Sequence, residues 1–598
     1  MSQEMLTGLA SIIVLGIVSQ WLAWRFHIPA ILLLLIAGIA AGPITGILRP
    51  DSLFGELLFP LVSVSVAIIL FEGGLSLQFR ELREGGGAIR NLILIGIPIT
   101  WVLASAGSYY IVGFDLRLSI LLGAILVVTG PTVIIPLLRQ VRPSPKVGSI
   151  VKWEGIINDP IGAVLAVLVL EVILIGSEES RISAMLIGAF KAGILGTLIG
   201  AAGAGVIVLM LKKYLVPDFL QNPMSLMIVM VVFSASNYIQ HESGLLAVTV
   251  MGVALANQRF VSIKHILDFK ENLRVILISS LFIILAARLS MEQLMLFETT
   301  NWLFVAFLIV LVRPLSVLLS TIGLDLKWNE KVFIGWMAPR GIVAAAVVSV
   351  FAVSLNSTGY DGAGGMVPLI FQVIIGTVAV YGLTAPLAAR LLKVAQPDPQ
   401  GLFFAGAQLC AREIARAVRD EGFRVALVDS NWSNVSAARK VGCTAKYADF
   451  LSENFLNEFP FEGLGRMLAM TPNDEVNTLA AVHFRDIFGR SNVYQLPPTK
   501  KENSGKKSGP EHMHGRYLFK KRANFDEICS RLNSGAVIKK TVIKENFNFE
   551  SYKKMYGGSA IPLFIITENK KLNIITAEDE IEPGAGDKLI SIVDEKDR

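Results

Sequence analysis

The chain has 598 residues, 53% of them hydrophobic and only 17% charged, with a mean hydropathy of +0.59. A wholly soluble globular protein, with a charged fraction near 25%, is excluded. The net charge of +6 is mild. It is accounted for by the connections between apolar runs, so it does not point to nucleic-acid binding.

Up to Lys393 the sequence is a succession of apolar runs near the ~20-residue length that spans a bilayer. Thirteen spans are expected, at 5–24, 28–41, 57–75, 89–113, 117–138, 150–176, 183–211, 222–239, 243–257, 273–288, 300–320, 329–353 and 366–392. The second and ninth are short and fit tilted or re-entrant segments. No Lys or Arg precedes the first, which runs into further spans, so it does not read as a cleaved signal. Basic residues alternate between connections. One set holds residues such as Arg25, Arg80, Arg139, Lys146, Lys212, Lys264, Lys270, Arg274, Lys331 and Arg390; the other holds only Arg49, Arg117, Arg181 and Arg288. The excess of Lys and Arg marks the cytoplasmic side. The C-terminal tail is then cytoplasmic and the N-terminus outside, as an odd span count requires.

Ionisable residues inside spans are costly and become functional candidates. In the third span, Glu72 reads as a structural group at a helix end beside Gly73 and Gly74. The fifth span is interrupted by Thr129, Gly130, Pro131 and Thr132. The sixth carries Glu154, Asn158 and Asp159, with Pro160 immediately after. At ~100° per residue, Glu154 and Asn158 share a face and Asp159 is turned ~140° from Glu154, so the two carboxylates address different partners. Pro160 lacks the N–H that would engage the Ile156 carbonyl, so the sixth helix reads as broken there. Carboxylate, amide oxygen and free carbonyl suit a small cation or a proton. Glu154 needs a positive partner, for which Arg313 and Arg340 are the intramembrane arginines. Lys191, in a glycine-rich helix, reads as structural. The twelfth span is interrupted at Pro339, Arg340 and Gly341. Interruptions at matching places in two halves point to a transporter site at the midplane. The fifth and twelfth spans differ by seven, as do the sixth and thirteenth, and an odd offset inverts the second unit.

Beyond the linker at 396–400 the composition turns soluble. An apolar strand ends at Gly406, a helix follows, and a second strand ends at Asp429, the layout of a dinucleotide-binding βαβ unit. Gln408 and Ala411 replace the second and third fingerprint glycines. A βαβ unit that binds nothing and one that takes an adenine nucleotide or dinucleotide effector both fit, with Gly406 and Asp429 as the contacts in the second case. The cysteines, Cys410, Cys443 and Cys529, fit neither a metal site nor a disulfide framework by spacing, which suggests a reducing compartment. There is no metal cluster, nucleophile triad or hydrolase motif.

The stretches "LFEGGLSL" (70–77), "VVTGPTVI" (127–134), "EGIIND" (154–159), "VRPLSV" (312–317) and "APRGIV" (338–343) resemble the cation:proton antiporter-1 family, the NhaP-type Na+/H+ antiporters. The tail resembles TrkA-like regulator-of-K+-conductance modules, through "YADF" (447–450), "TPNDEVN" (471–477) and "EPGAGDKL" (582–589). The resemblance implies a membrane all-α fold of thirteen helices with inverted repeats and two broken crossing helices. A cytosolic α/β Rossmann-like subdomain and a small α+β subdomain follow. The implied boundaries are an antiporter domain over 1–395, a TrkA-N-like unit over 396–499, a flexible linker over 500–514 and a TrkA-C-like unit over 515–598. It also implies Asp159 as the shared site for the transported Na+ or K+ and for the proton, and electroneutral exchange from Asn158 in place of a second Asp. Thr129 and Thr132 line that site, and Glu154 pairs with an arginine, Arg313 matching better than Arg340. Gly155 and Gly130 depart from the Ser and Asp common in relatives and remove oxygens.

The expectation is therefore a secondary antiporter of Na+ or K+ against H+. It would be a homodimer in a lipid bilayer, the bacterial inner membrane, serving pH homeostasis. It needs no cofactor and is not an enzyme. A cation channel subunit gated by the same tail type is the alternative, weakened by the lack of a carbonyl filter motif.

Overall fold

The protein is described from a computed structural model. It covers residues 2–594 except 27, 175–180, 241–242, 296–297, 358–359, 361–362, 396–398, 453–454, 456–458, 460, 462, 500–512, 557–558 and 579–581. Most of the expected linkers at 396–400 and 500–514 lie outside the described residues. The chain forms two compact units, 1–395 and 396–598.

Unit 1 is helical throughout. Among the described residues, eight helices are long and apolar enough to cross a membrane, and five shorter apolar helices (Ala30–Ile44, Leu116–Ile125, Ser243–Asn257, Asn272–Ala287 and Ile342–Leu355) fall where the remaining expected spans were placed. Inverted repetition shows in the irregularities. The fourth span, Gly85–Val112, and the eleventh, Thr299–Ser320, each contain a π-helical turn, at Leu92–Gly96 and Leu308–Val312. The fifth span is two half-helices, Leu116–Ile125 and Pro131–Val141. The twelfth is likewise split into Trp328–Gly335 and Ile342–Ser357. The sixth differs from the sequence reading: it stays one helix, Pro145–Leu174, straight through Pro160.

Glycine sets the close approaches. Gly74 of the third span and Gly252 of the ninth meet backbone to backbone; a Cβ on Gly74 would come 2.5 Å from the Thr249 carbonyl oxygen. Small residues at a helix crossing let dispersion contacts form where lipid supplies no hydrophobic drive. Gly73 and Gly74 lie in the last turn of the helix Leu58–Leu75, at a helix end as the sequence suggested.

Unit 2 opens with strands β1 (Gly401–Ala405), β2 (Val425–Asp429), β3 (Thr444–Tyr447), β4 (Leu464–Ala469), β5 (Val493–Gln495) and β6 (Arg516–Tyr517). They pair in parallel in the order β3-β2-β1-β4-β5-β6, the doubly wound order of dinucleotide-binding folds. A second sheet is antiparallel, β7 (Val537–Val542), β10 (Lys588–Val593), β8 (Ile561–Ile566) and β9 (Leu572–Ile574) in spatial order. The two sheets share one apolar core in which Leu402, Phe404, Ile414 and Leu427 are clustered with Phe519, Ile528, Leu563 and Ile590. Cys410 and Cys529, 119 residues apart, stand side by side with Cα atoms 5.2 Å apart, within disulfide reach. Spacing alone gave no sign of that pairing, and Cys443 is the free, buried cysteine.

Because each unit has its own core, a chain ending at Ala395 should still fold. Its detergent-solubilised form is expected to elute as a single species with helical circular dichroism. Aggregation on truncation would show that unit 1 depends on unit 2.

Candidate functional site

The two interrupted spans cross at their breaks. A Cβ on Gly130 would lie 2.5 Å from Gly341 Cα, and one on Gly341 the same distance from Gly130 Cα. No side chain fits there, so both positions require glycine. Each break leaves carbonyls at a half-helix C-terminus without helical partners, the negative end of a helix dipole. An arginine serves each. Arg340 donates from Nη1 to the Val128 carbonyl at 3.3 Å, while its backbone N–H donates to Thr377 Oγ1 at 3.3 Å. Arg313 donates from Nη2 to the carbonyls of Ile334 at 3.0 Å and Met337 at 2.9 Å, which end the first half of the twelfth span.

Arg313 also makes a two-pronged pair with Glu154, one bond running from Nη2 to Oε2 at 2.9 Å and the other from Nη1 to Oε1. Both side chains are buried. Of the two arginines open to Glu154 on sequence grounds, Arg313 makes the contact. A buried charge pair is stable only when its remaining polar atoms are largely satisfied; the two carbonyls take further bonds from Nη2, while Nε is left without a hydrogen-bond partner.

Asp159 stands apart. It is fully buried, and neither carboxylate oxygen has a hydrogen-bond partner or, among the described residues, an ion-pair partner. Its direction follows from packing. Gly155 lies four residues before it and Gly162 three after, so all three share one helix face. Gly155 is against the Ile134 side chain, and a Cβ on Gly162 would come 3.0 Å from Val128 N. That face therefore lies on the break of the fifth span, between residues 128 and 134. Buried there without hydrogen-bond partners are Thr129 Oγ1 and Thr132 Oγ1; Asn158 Oδ1, one residue before Asp159 on the sixth span, is likewise buried and without one. Gly155 in place of a Ser follows from the same contact, since any side chain there would have to displace Ile134.

Oxygens predominate in this group: a carboxylate, an amide carbonyl and two hydroxyls. Hydroxyls and an amide serve a cation as neutral ligands, and one carboxylate balances one unit charge. Three further intramembrane positions lie outside this group. Glu72 pairs with Arg274 at 2.7 Å, a partner that sequence reasoning had assigned to a connection. Lys191 is exposed. Gln372, which the sequence reading passed over, is fully buried in the thirteenth span with neither amide atom hydrogen-bonded; only its polarity within an apolar run marked it.

In unit 2, the Gly406 turn has φ +111°, as the fingerprint's first glycine requires. Asp429 is already engaged. Its Oδ2 accepts from the Ala407 N–H at 2.8 Å and from Asn434 Nδ2 at 3.0 Å, and its Oδ1 accepts from the Asn431 N–H at 2.8 Å. Gln408 Oε1 is buried at the same turn without a hydrogen-bond partner.

A helical membrane unit with two broken spans crossing beside a lone buried carboxylate defines a secondary-transporter architecture. The chain belongs to the sodium/hydrogen exchanger family, whose transmembrane domain matches residues 9–391, and is a multi-pass integral membrane protein. Residues 403–496 match the TrkA-N domain. The Na(+)/H(+) antiporter 1 of Methanocaldococcus jannaschii is 27% identical over 57% of this chain and 81% of its own length. The K(+)/H(+) antiporter NhaP of Alkalimonas amylolytica is 26% identical over 65% of this chain and 66% of its own length. The structure of the sodium proton antiporter MjNhaP1 from M. jannaschii has the same membrane fold, with a TM-score of 0.58 at 23% identity over 65% of this chain and 99% of that one.

Two substitutions test the construction of the site. Glu154→Gln leaves Arg313 buried and half-paired, and should lower stability by about 3–5 kcal/mol, read as reduced thermal unfolding temperature in detergent. Gly341→Ala should separate the crossing spans and lower stability as well. Wild-type stability in either variant would contradict the geometry.

Proposed function

We propose that the protein is a secondary antiporter exchanging a monovalent cation, Na+ or K+, for H+, with Asp159 as the site both ions share. The observation that carries this is the fully buried Asp159 carboxylate without a hydrogen-bond partner, on the helix face that packs against the break carrying Thr129 and Thr132. A proton or a cation neutralises such a group, and the two exclude each other. That exclusion couples the fluxes if the loaded crossing changes its exposure between the two sides and the empty, charged one does not. The names of the relatives, which include both Na(+)/H(+) and K(+)/H(+) antiporters, support the reaction and leave both cations as substrates. Glu154 holds Arg313 and takes no part in proton exchange. Asn158 contributes a neutral oxygen. We place the protein in a bacterial inner membrane as a homodimer, with its N-terminus outside and unit 2 in the cytoplasm. The distribution of basic residues supports that orientation.

Asp159→Asn keeps the shape and removes the charge. It should abolish cation-driven proton movement in proteoliposomes while the protein elutes and unfolds as wild type does. Exchange near the wild-type rate in this variant would refute the assignment. With one carboxylate, one cation replaces one proton, so no transport current is expected on a solid-supported membrane; a clear current would mean that a second group titrates during turnover.

Unit 2 is proposed to regulate exchange. An adenine nucleotide at the Gly406 turn would have to displace Gln408 and compete for Asp429, whose oxygens already hold the loop. Such a ligand would thereby loosen that turn. Removing residues beyond Ala395 should alter the response of exchange to adenine nucleotides or to pH; an unchanged profile would exclude control by this unit.

A further inference from the structure

All three cysteines lie in unit 2, and two of them meet. Cys410 is the second residue of the helix Leu409–Arg419, which opens just after the Gly406 turn. Cys529 lies in the helix Phe525–Asn533, which precedes β7. The two helices pack together. The Cα separation of 5.2 Å falls inside the range of about 4.4–6.8 Å that a disulfide spans.

The thiols differ in access. Cys410 is fully buried in the core shared by the two sheets, and Cys529 is half-buried at the edge of that core. Cys443 is buried elsewhere in the same core, and burial pushes its thiol above the usual cysteine range. Little thiolate and poor access make Cys443 a weak nucleophile. Cysteines pack as small apolar groups whether or not they react. What adds chemistry here is a pair at bonding separation, of which one member reaches solvent.

We propose that Cys410 and Cys529 form a reversible thiol–disulfide site, oxidised by a low-molecular-weight disulfide and reduced by thiols, which when closed fastens the helix of the Gly406 turn to the helix that precedes the second sheet. The Cys529 thiolate attacks one sulfur of the incoming R–S–S–R, forming a mixed disulfide and releasing RS−. The Cys410 thiolate then attacks the Cys529 sulfur and releases the second RS−. Two thiols become one disulfide, the reagent takes up two electrons, and the two thiol protons end on two RSH. Excess RSH drives the same steps backwards. A permanent bridge is foreign to a reducing cytoplasm, so the site is open at rest and closes under oxidation. Closure cross-links positions 119 residues apart, which restricts the unfolded chain and stabilises unit 2. It also anchors the start of the helix Leu409–Arg419, opposing the loosening of the turn that an adenine nucleotide there requires. That last consequence rests on the regulatory reading of unit 2 above; the site itself does not.

The test equilibrates full-length protein in detergent with glutathione and glutathione disulfide, from reducing to oxidising ratios, followed by alkylation, digestion and mass spectrometry. A peptide pair joined through Cys410 and Cys529 should appear as the ratio turns oxidising and vanish when reducing buffer is restored, with Cys443 alkylated only after denaturation. Free thiols at both positions in the most oxidising buffer, a glutathione adduct on Cys529 that is never resolved, or a bridge to Cys443 would overturn the site. Oxidation should raise the unfolding temperature of unit 2 within the full chain by roughly 5 °C or more in wild type and leave Cys529→Ser unmoved. The same shift in both, or none in either, would overturn the fastening. In proteoliposomes, oxidation should blunt the effect of adenine nucleotides on exchange in wild type and not in Cys529→Ser. A nucleotide effect that oxidation leaves intact in wild type would overturn the anchoring of the turn. No nucleotide effect in either redox state would instead refute the regulatory reading and leave the mass-spectrometric test standing.

Discussion

A buried carboxylate with no partner is the constraint on which the rest of unit 1 depends. Glu154 and Asp159 stand five positions apart on one helix, and their surroundings are opposite. Glu154 is closed off by Arg313, whose Nη2 also bonds two carbonyls at the break of the twelfth span. Asp159 receives nothing comparable. Ionising a group in that position is costly unless something neutralises it, and a transported ion is what the reaction supplies.

The arginines explain why the breaks persist. A half-helix ending inside a membrane exposes carbonyls that only a strong donor satisfies. Arg340 does this for the fifth span and Arg313 for the twelfth, so each guanidinium is spent on backbone before it meets any carboxylate. Glu154 then balances the charge that the second cap introduces. The same residues that look like a transport site in sequence are, at Glu154 and Arg313, the support that holds the transport site open.

Much of this was legible in the sequence, for reasons that differ by residue. The spans follow from bilayer thickness, and the crossing from Gly-Pro and Pro-Arg-Gly interruptions seven spans apart. Asp159 stood out because a charge in an apolar run is rare. Three features were hidden because they depend on contacts distant in sequence. Glu72 could not be matched to Arg274, nor Cys410 to Cys529, by any local pattern. Lys270, which the structure buries, reads as a loop residue because the helix of the tenth span begins two turns before its apolar segment does. Pro160 misled in the other direction. Its missing N–H suggested a broken sixth span, yet the helix runs on, as membrane helices tolerate proline where packing on both sides is close.

The central claim is that cation and proton compete for one carboxylate. It is tested most directly by titrating purified protein in detergent with Na+ and K+ and measuring heat in buffers of different ionisation enthalpy, which reports protons released per cation bound. The account requires release to approach one proton per cation at pH low enough for the cation-free carboxyl to be protonated and to fall towards zero as pH rises, and to vanish when Asp159 is replaced by Asn. Saturable cation binding that releases no proton at any pH would contradict it.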